Sequence, residues 1–351
     1  MAEYASHAAS AGSRLHRAFR KALERTGVSV VRGKTGDESL LDFAEATVAG
    51  LAKLPRRLEC RYLYDARGSA LFERITEQPE YYLTRTEAAI LKTNAHYIRD
   101  LAGSTSLVEL GSGSSVKTGI LLRAWLDRDP SARYIPIDVS ISALRGACRA
   151  ISGSMPTIQV IAIDADYHEA FPLLRQASPV MVLFLGSSIG NFGPREMDAF
   201  FISVSRALSI NDFFLLGIDL VKEQNLIDAA YNDAAGISAS FTRNLFARMN
   251  RELRSNIDLS AVEHVAAYDP GVEQVEIYAR FARRQIIRVE PLERSFAIDE
   301  GEMIRVEICR KFRLDEFIRY AARFGFAADG VFTDEQNWFA LLLLRRQAPL
   351  D

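Results

Sequence analysis

The sequence predicts an α/β protein built around a mainly parallel sheet with helices on both faces. Between Leu107 and Val221 five apolar runs alternate with stretches whose apolar residues recur at helical spacing, the mark of βα units that share one sheet. The fourth run, beginning VMVLFL, is apolar at successive residues rather than at every second one, as a strand covered on both faces requires. A third observation locates the ligand end of that sheet. The first run, LVEL, passes through Gly111-Ser112-Gly113-Ser114-Ser115 and reopens as a helical pattern. A residue without Cβ takes positive φ cheaply and lets a ligand lie against the backbone, and the helix start beyond it presents unpaired N–H groups.

In chain order, Leu15, Phe19 and Leu23 share one face of a basic segment that stops near Gly27. This predicts a short amphipathic helix, expected as a surface helix or loose tail. Glu3 and Glu24 argue against a transit peptide, and no long apolar stretch of a secretory signal is present. Leu40, Phe43, Ala44, Val48, Leu51 and Leu54 recur at helical spacing until Pro55. Next comes a segment, Arg61 to Leu91, rich in aromatics: Tyr62, Tyr64, Phe72, Tyr81 and Tyr82. Singly such rings are core filler; five together suit the polar ends of a small amphipathic substrate.

A helix is expected from about Thr86 to Leu101, followed by the strand ending at Glu109-Leu110. The next strand ends at Asp138, 25 residues after Gly113, close to the spacing at which a carboxylate accepts from a ribose. The third ends at Asp164 and Asp166, where a carboxylate serves either an adenine amino group or a helix cap. The fourth empties into Gly186-Ser187-Ser188-Ile189-Gly190-Asn191, at the end where open sheets bind ligands. A fifth strand, FFLLGIDLV, completes the series. Beyond Val221 the pattern changes: Leu226 to Leu253 is helical, Val272 to Pro291 alternates like an antiparallel hairpin, a strand covers about Met303 to Phe312, and the apolar WFALLLLR returns to the sheet.

Composition narrows the function. Forty-three Lys and Arg against 45 Asp and Glu leave the chain near neutrality, so nothing calls for a nucleic acid or an anionic membrane. No apolar run approaches the roughly 20 residues of a membrane span. Three widely spaced cysteines, without CxxC or HxxxH spacing, suit reduced thiols in a cytoplasm and no structural metal. A glycine turn with acidic residues is also the dinucleotide fingerprint, but Val116 stands where the third glycine of GxGxxG belongs, and GxxxxGK[ST] is absent. Glu109, next to the turn, points instead to S-adenosylmethionine (SAM), which has no pyrophosphate. Lys117 is either a partner for the methionine carboxylate of SAM or a solvated helix-surface lysine.

The segments YLYDARGSALFERITEQPEYYLTRTEAAIL, VELGSGSSVKT, YIPIDVSISAL, FLGSSIGNF, LGIDLVK, AAYNDAAG and VEICRKF together resemble the histidine Nα-methyltransferases of ergothioneine biosynthesis, over roughly Leu40 to Leu344. The resemblance implies a Rossmann-like SAM-dependent methyltransferase fold, with a second, smaller α+β substrate-binding domain. The expected boundaries are an N-terminal extension over 1–32, a substrate domain over 33–85 and 221–311, and a SAM-binding domain over 86–220 and 312–351. It further implies a cytoplasmic, monomeric enzyme that trimethylates the α-amine of free histidine to the betaine, hercynine. Glu109, Gly111, Ser112, Gly113, Lys117, Asp138, Asp166 and Tyr167 would serve SAM. Tyr64 and Asn191 would hold the substrate amine as catalytic residues, and Tyr81 and Tyr231 its carboxylate. Phe72 would lie against the substrate, Gly186, Ser188 and Ile189 would line the pocket near the transferred methyl, and Glu307 would accept an imidazole N–H.

The chain departs from the family at three places: Cys309 stands for a serine that serves the other ring nitrogen, Ile277 for a methionine, and Tyr167 for a phenylalanine. Cys309 and Ile277 motivate an alternative, the same chemistry on tryptophan or another aromatic amino acid, since an indole has one N–H for Glu307 to accept. A non-catalytic SAM-binding regulator is a third reading. In every catalytic version the substrate carboxylate meets neutral tyrosines without a further charge.

Overall fold

The structure, a computed structural model, describes residues 14–32, 36–113 and 115–348. Residues 1–13 of the expected extension and Ser114 of the glycine turn lie outside them. The strands are β1 (Val28–Arg32), β2 (Ser106–Leu110), β3 (Arg133–Asp138), β4 (Gln159–Asp164), β5 (Val180–Phe184), β6 (Phe213–Asp219), β7 (Val262–Asp269), β8 (Gln274–Phe281), β9 (Gln285–Val289), β10 (Arg294–Ile298), β11 (Met303–Arg310), β12 (Phe326–Thr333) and β13 (Phe339–Arg346). The chain forms two compact units, one of residues 14–32, 85–220 and 312–348, the other of residues 36–84 and 221–311.

The larger unit is an eight-stranded sheet in the order β1-β4-β3-β2-β5-β6-β13-β12. The pairs from β1 to β6 are parallel, and β13 and β12 join antiparallel. The strand order reverses between β2 and β5, the switch point where such sheets bind ligands. Alternate residues feed two cores: Val108, Ile135, Ile137 and Leu342 face one, while Leu107, Tyr134, Leu183 and Leu341 face the other. The continuous apolar runs of the sequence follow from this two-sided burial. WFALLLLR supplies β13, which returns to pair with β6.

Three elements differ from the expectations for the larger unit. The N-terminal helix is no surface helix or loose tail, because its apolar stripe, Leu15, Phe19 and Ala22, is buried in the core. The chain then adds β1, parallel to β4 at the sheet edge. This five-residue strand escaped the sequence because its exposed positions, Val28 and Val30, blur the burial pattern. An edge strand, β12, was also not foreseen, and its bulge at Ala328/Gly330 interrupts the register.

The smaller unit holds a three-stranded antiparallel sheet, β11-β8-β7, and a separate ribbon, β10-β9. The expected hairpin over Val272–Pro291 does not form, since β8 pairs with β7 and β11 while β9 pairs with β10. The helical stretch Leu226–Leu253 is broken into Gln224–Tyr231 and Ile237–Leu253, with Gly236 at φ 68°. Asp233 caps the second helix, accepting from the Ile237 and Ser238 N–H groups at 2.7 Å each. The motif YNDAAG is thus a helix end, a turn and a cap. Among the described residues no helix is long and apolar enough to cross a membrane.

Candidate active site

In the larger unit the turn after β2 is a left-handed glycine cradle. Gly111 and Gly113 have φ 68° and 48°, and a Cβ at Gly111 would stand 3.0 Å from the Tyr167 hydroxyl. Asp138, at the end of β3, holds the turn: Oδ2 accepts from the Gly113 N–H at 3.0 Å and Oδ1 from the Ser140 N–H at 2.8 Å. A carboxylate has about four acceptor sites, so Asp138 keeps acceptor capacity for a ligand hydroxyl. Burial pushes the Asp138 carboxyl upward, and Asp164 adds to it, against those hydrogen bonds. The buried Ser112 hydroxyl has no partner among the described residues. Residues free of Cβ, an orphaned hydroxyl and a carboxylate at the next strand end fit the nucleoside of SAM.

Asp166 caps a helix through one oxygen, Oδ1 accepting from the Glu169 N–H at 3.0 Å, a role compatible with a ligand contact. Its neighbour Tyr167 packs edge-on against Phe184, with ring centroids 5.6 Å apart, which aims the hydroxyl at the turn.

Glu109 corrects the expectation that it faces cofactor hydroxyls. It is 4% exposed, and its two carboxylate oxygens accept from the Thr118 and Tyr134 hydroxyls. Tyr134 also shares a 2.6 Å hydrogen bond with Ser115. The cause is the pleat: Glu109 lies on the Leu107 side of β2, under the helix Thr118–Leu126. Burial pushes its carboxyl up to about 7, against those hydrogen bonds and the charge of Lys117. It braces the turn from beneath.

Lys117 is no solvated surface lysine, because it pairs with Glu87, which is fully buried. Both Glu87 oxygens lie 2.9 Å from the Gly186 N–H, and Gly186 itself takes φ 75°. A Cβ at Gly217 would fall 2.2 Å from Glu87 Oε1, so this glycine of LGIDLVK makes room for the carboxylate. Sequence reasoning missed Glu87, since a glutamate inside a helical pattern reads as solvated. On the same turn Ser188 donates to the Leu185 carbonyl at 2.9 Å, and Asn191 is half-buried at the end of a short 3₁₀ turn. Ile189, expected to line the pocket, is fully buried in the core instead, where an apolar side chain next to β5 gains most.

In the smaller unit the aromatics converge. Ring centroids lie 5.5 Å apart for Tyr64–Phe72, 6.2 Å for Phe72–Tyr81 and 6.3 Å for Tyr81–Tyr231. Phe241, not foreseen, contacts Tyr64 at 5.3 Å and Phe72 at 6.1 Å. Tyr62 belongs to the bland class, stacked on Phe43 at 4.5 Å, and the Tyr82 hydroxyl accepts from Lys222 at 2.9 Å. Asp65 sets the segment by accepting from the Gly68 N–H and the Asn244 amide, each at 2.7 Å.

Glu307 lies directly across from Ile277 in the β11–β8 register, and Cys309 across from Val275, so these side chains share one face of the sheet. The same wall reaches Tyr64, whose hydroxyl is pushed well above its usual range by burial first and then by Glu307, Cys60, Tyr81 and Cys309. Tyr64 is therefore a neutral phenol. The Cys309 thiol is also pushed well up, by burial and Glu307, against the charge of Lys311 and a hydrogen bond with Tyr231. Such a thiol is not a nucleophile.

A family model described as histidine-specific methyltransferase, SAM-dependent, matches residues 43–346. The histidine N-alpha-methyltransferase of Mycolicibacterium smegmatis is 40% identical over 298 residues, covering 85% of this chain and 93% of that protein. That of Mycobacterium tuberculosis is 35% identical over 316 residues, covering 90% and 98%. Ergothioneine biosynthesis protein 1 of Neurospora crassa is 32% identical over 195 residues, covering 54% of this chain and 22% of that protein. Because the match runs from the helix Gly36–Leu51 through both units to the last strand, the chain belongs to the SAM-dependent, histidine-specific methyltransferases.

Proposed function

We propose that this enzyme methylates the α-amine of free L-histidine three times, giving hercynine for ergothioneine biosynthesis. The observation that carries the reading is the register of β11 on β8, which sets Glu307 on one face with Ile277 and Cys309, beside Tyr64. A carboxylate on an otherwise apolar and aromatic wall suits a substrate with a ring N–H. The two relatives named for histidine, alike over most of their length, favour histidine over other aromatic amino acids.

SAM supplies an electrophilic sulfonium methyl. The chain's part is alignment, since an in-line displacement needs the amine lone pair held on the methyl axis. The turn at Gly111–Gly113, with Asp138, Asp166 and Tyr167, would hold the nucleoside, and Lys117 the methionine carboxylate. Tyr64 and Asn191 would each accept an amine N–H through oxygen, which turns the lone pair outward and lets the remaining N–H groups rotate away between transfers. Tyr64, neutral at physiological pH, takes no part as a base, so the ammonium proton leaves to water. Rings such as Phe72 tolerate the quaternary ammonium that builds up. Tyr81 and Tyr231 would fix the carboxylate end.

The test is incubation with SAM and each aromatic amino acid, followed by product mass. A gain of three methyls on histidine is expected; efficient methylation of tryptophan with none of histidine would transfer the chemistry to the indole substrate. The reading treats the enzyme as a cytoplasmic monomer, in keeping with three free cysteines, and light scattering of the purified protein checks the monomer.

A further inference from the structure

We propose that Lys311 is a positioning residue for the substrate carboxylate, acting through the hydroxyl of Tyr231. The inference rests on the carboxylate role given to Tyr231 above and adds a cation behind what the sequence presents as a clamp of neutral tyrosines. Lys311 is 2% exposed, and lysine is seldom so buried without a task. Its Nζ donates to the Tyr231 hydroxyl oxygen at 2.8 Å. Its backbone is fixed as well, the N–H donating to the Glu273 carbonyl at 2.7 Å.

An ammonium has three donors and no acceptor, so in this hydrogen bond the Tyr231 oxygen accepts. The phenol proton is thereby directed to another acceptor. One partner on the protein side is Cys309, whose thiol hydrogen-bonds Tyr231. Sulfur accepts weakly, and a carboxylate oxygen takes the same proton far better. An O–H whose oxygen already accepts from a cation is also a stronger donor, since chained hydrogen bonds polarise one another. Lys311 thus selects for a substrate carrying a carboxylate, without touching it.

The rest of the site keeps Tyr231 in place for this work. His264 Nε2 hydrogen-bonds the Tyr231 carbonyl at 2.9 Å while its Nδ1 pairs with Thr242 at 2.8 Å. Burial depresses the pKa of that imidazole, which keeps it neutral. Tyr81 packs edge-on against the Tyr231 ring.

The experiment compares Lys311→Met, Lys311→Arg and Tyr231→Phe with the unaltered enzyme. It uses calorimetric affinities for histidine and for histamine, its decarboxylated amine, together with KM and kcat for histidine and the affinity for SAM. Lys311→Met is expected to weaken histidine about tenfold or more, the scale of a lost charge-assisted hydrogen bond. Histamine affinity and SAM affinity should hold within about twofold, so the preference for the carboxylate collapses. Lys311→Arg should restore part of it, and Tyr231→Phe combined with Lys311→Met should be no worse than the weaker single variant. Equal losses for histidine and histamine in both Lys311 variants would overturn the inference. If Tyr231→Phe abolishes the preference and the Lys311 variants do not, Lys311 alone is excluded. If Tyr231→Phe leaves the preference intact, the carboxylate role of Tyr231 itself fails.

Discussion

Glu109→Gln tests the carboxyl beneath the glycine turn. In the unfolded chain this group titrates near 4.5 and in the folded protein near 7. The folded state therefore holds the proton more tightly, so the stabilisation is fully present below pH 4.5 and is lost as pH rises through 7. A separation of about 2.5 between the two values, at ~1.4 kcal/mol each, amounts to roughly 3 kcal/mol. Glutamine keeps the shape and has no such proton to lose. Its amide can meet Thr118 and Tyr134, because each hydroxyl either donates or accepts. Urea unfolding of both proteins, in small steps from about pH 4.5 to 8, isolates the group once the variant's stability is subtracted at each pH. The difference should fall by roughly 3 kcal/mol across the window, most steeply before pH 7. Two parallel curves would mean that the carboxyl titrates alike in both states, and the buried brace would be refuted.

Glu87→Gln replaces the oxygen that holds Lys117 by an amide donor facing an ammonium; it should cost about 2–3 kcal/mol in urea unfolding, less than a fully buried pair because Lys117 is partly exposed. Asp138→Asn removes one of the acceptors at the turn and should weaken SAM about tenfold or more by calorimetry, with the far-UV spectrum unchanged. Phe19→Ala should lower stability by about 3–5 kcal/mol, since this ring is fully buried in the main core; a loss below about 1 kcal/mol would return the helix to the surface.

Strands β2 to β6 were legible because each is buried on two faces and so reads as a largely apolar run ending near glycine or aspartate, whereas the parallel edge strand β1, exposed at Val28 and Val30, was not. Of the antiparallel strands β11 and β13 were foreseen and the others were missed or mispaired. β7 is mostly half-buried and β10 is five residues long, and periodicity assigns no partner to a strand, so β8 and β9 were read as one hairpin. At the site, the aromatic cluster and the late strand stood out in the sequence, as did the glycine turn. What stayed hidden were groups whose meaning depends on a distant neighbour. Glu87 needs Lys117, Gly186 and the gap at Gly217; Lys311 needs Tyr231, 80 positions away. Glu109 was visible but assigned to the wrong side, because no pattern in the sequence says which face of β2 looks towards the helix after the turn.

One feature of the larger unit bears on how such a chain can vary. Leu220 and Phe312 form an isolated bridge, with the Phe312 N–H donating to the Asp219 carbonyl at 2.9 Å and the Leu220 N–H to the Trp338 carbonyl at 2.9 Å. The sheet thus closes across the gap in the sequence, and everything from Val221 to Lys311 leaves and returns through adjacent points. A segment hung on such a stem can be lengthened, trimmed or exchanged with little loop-closure penalty and no break in the strands that carry it. Because residues 36–84 complete the smaller unit, a change within Val221–Lys311 has to keep its packing against that segment, while the strands of the larger unit constrain only its two ends.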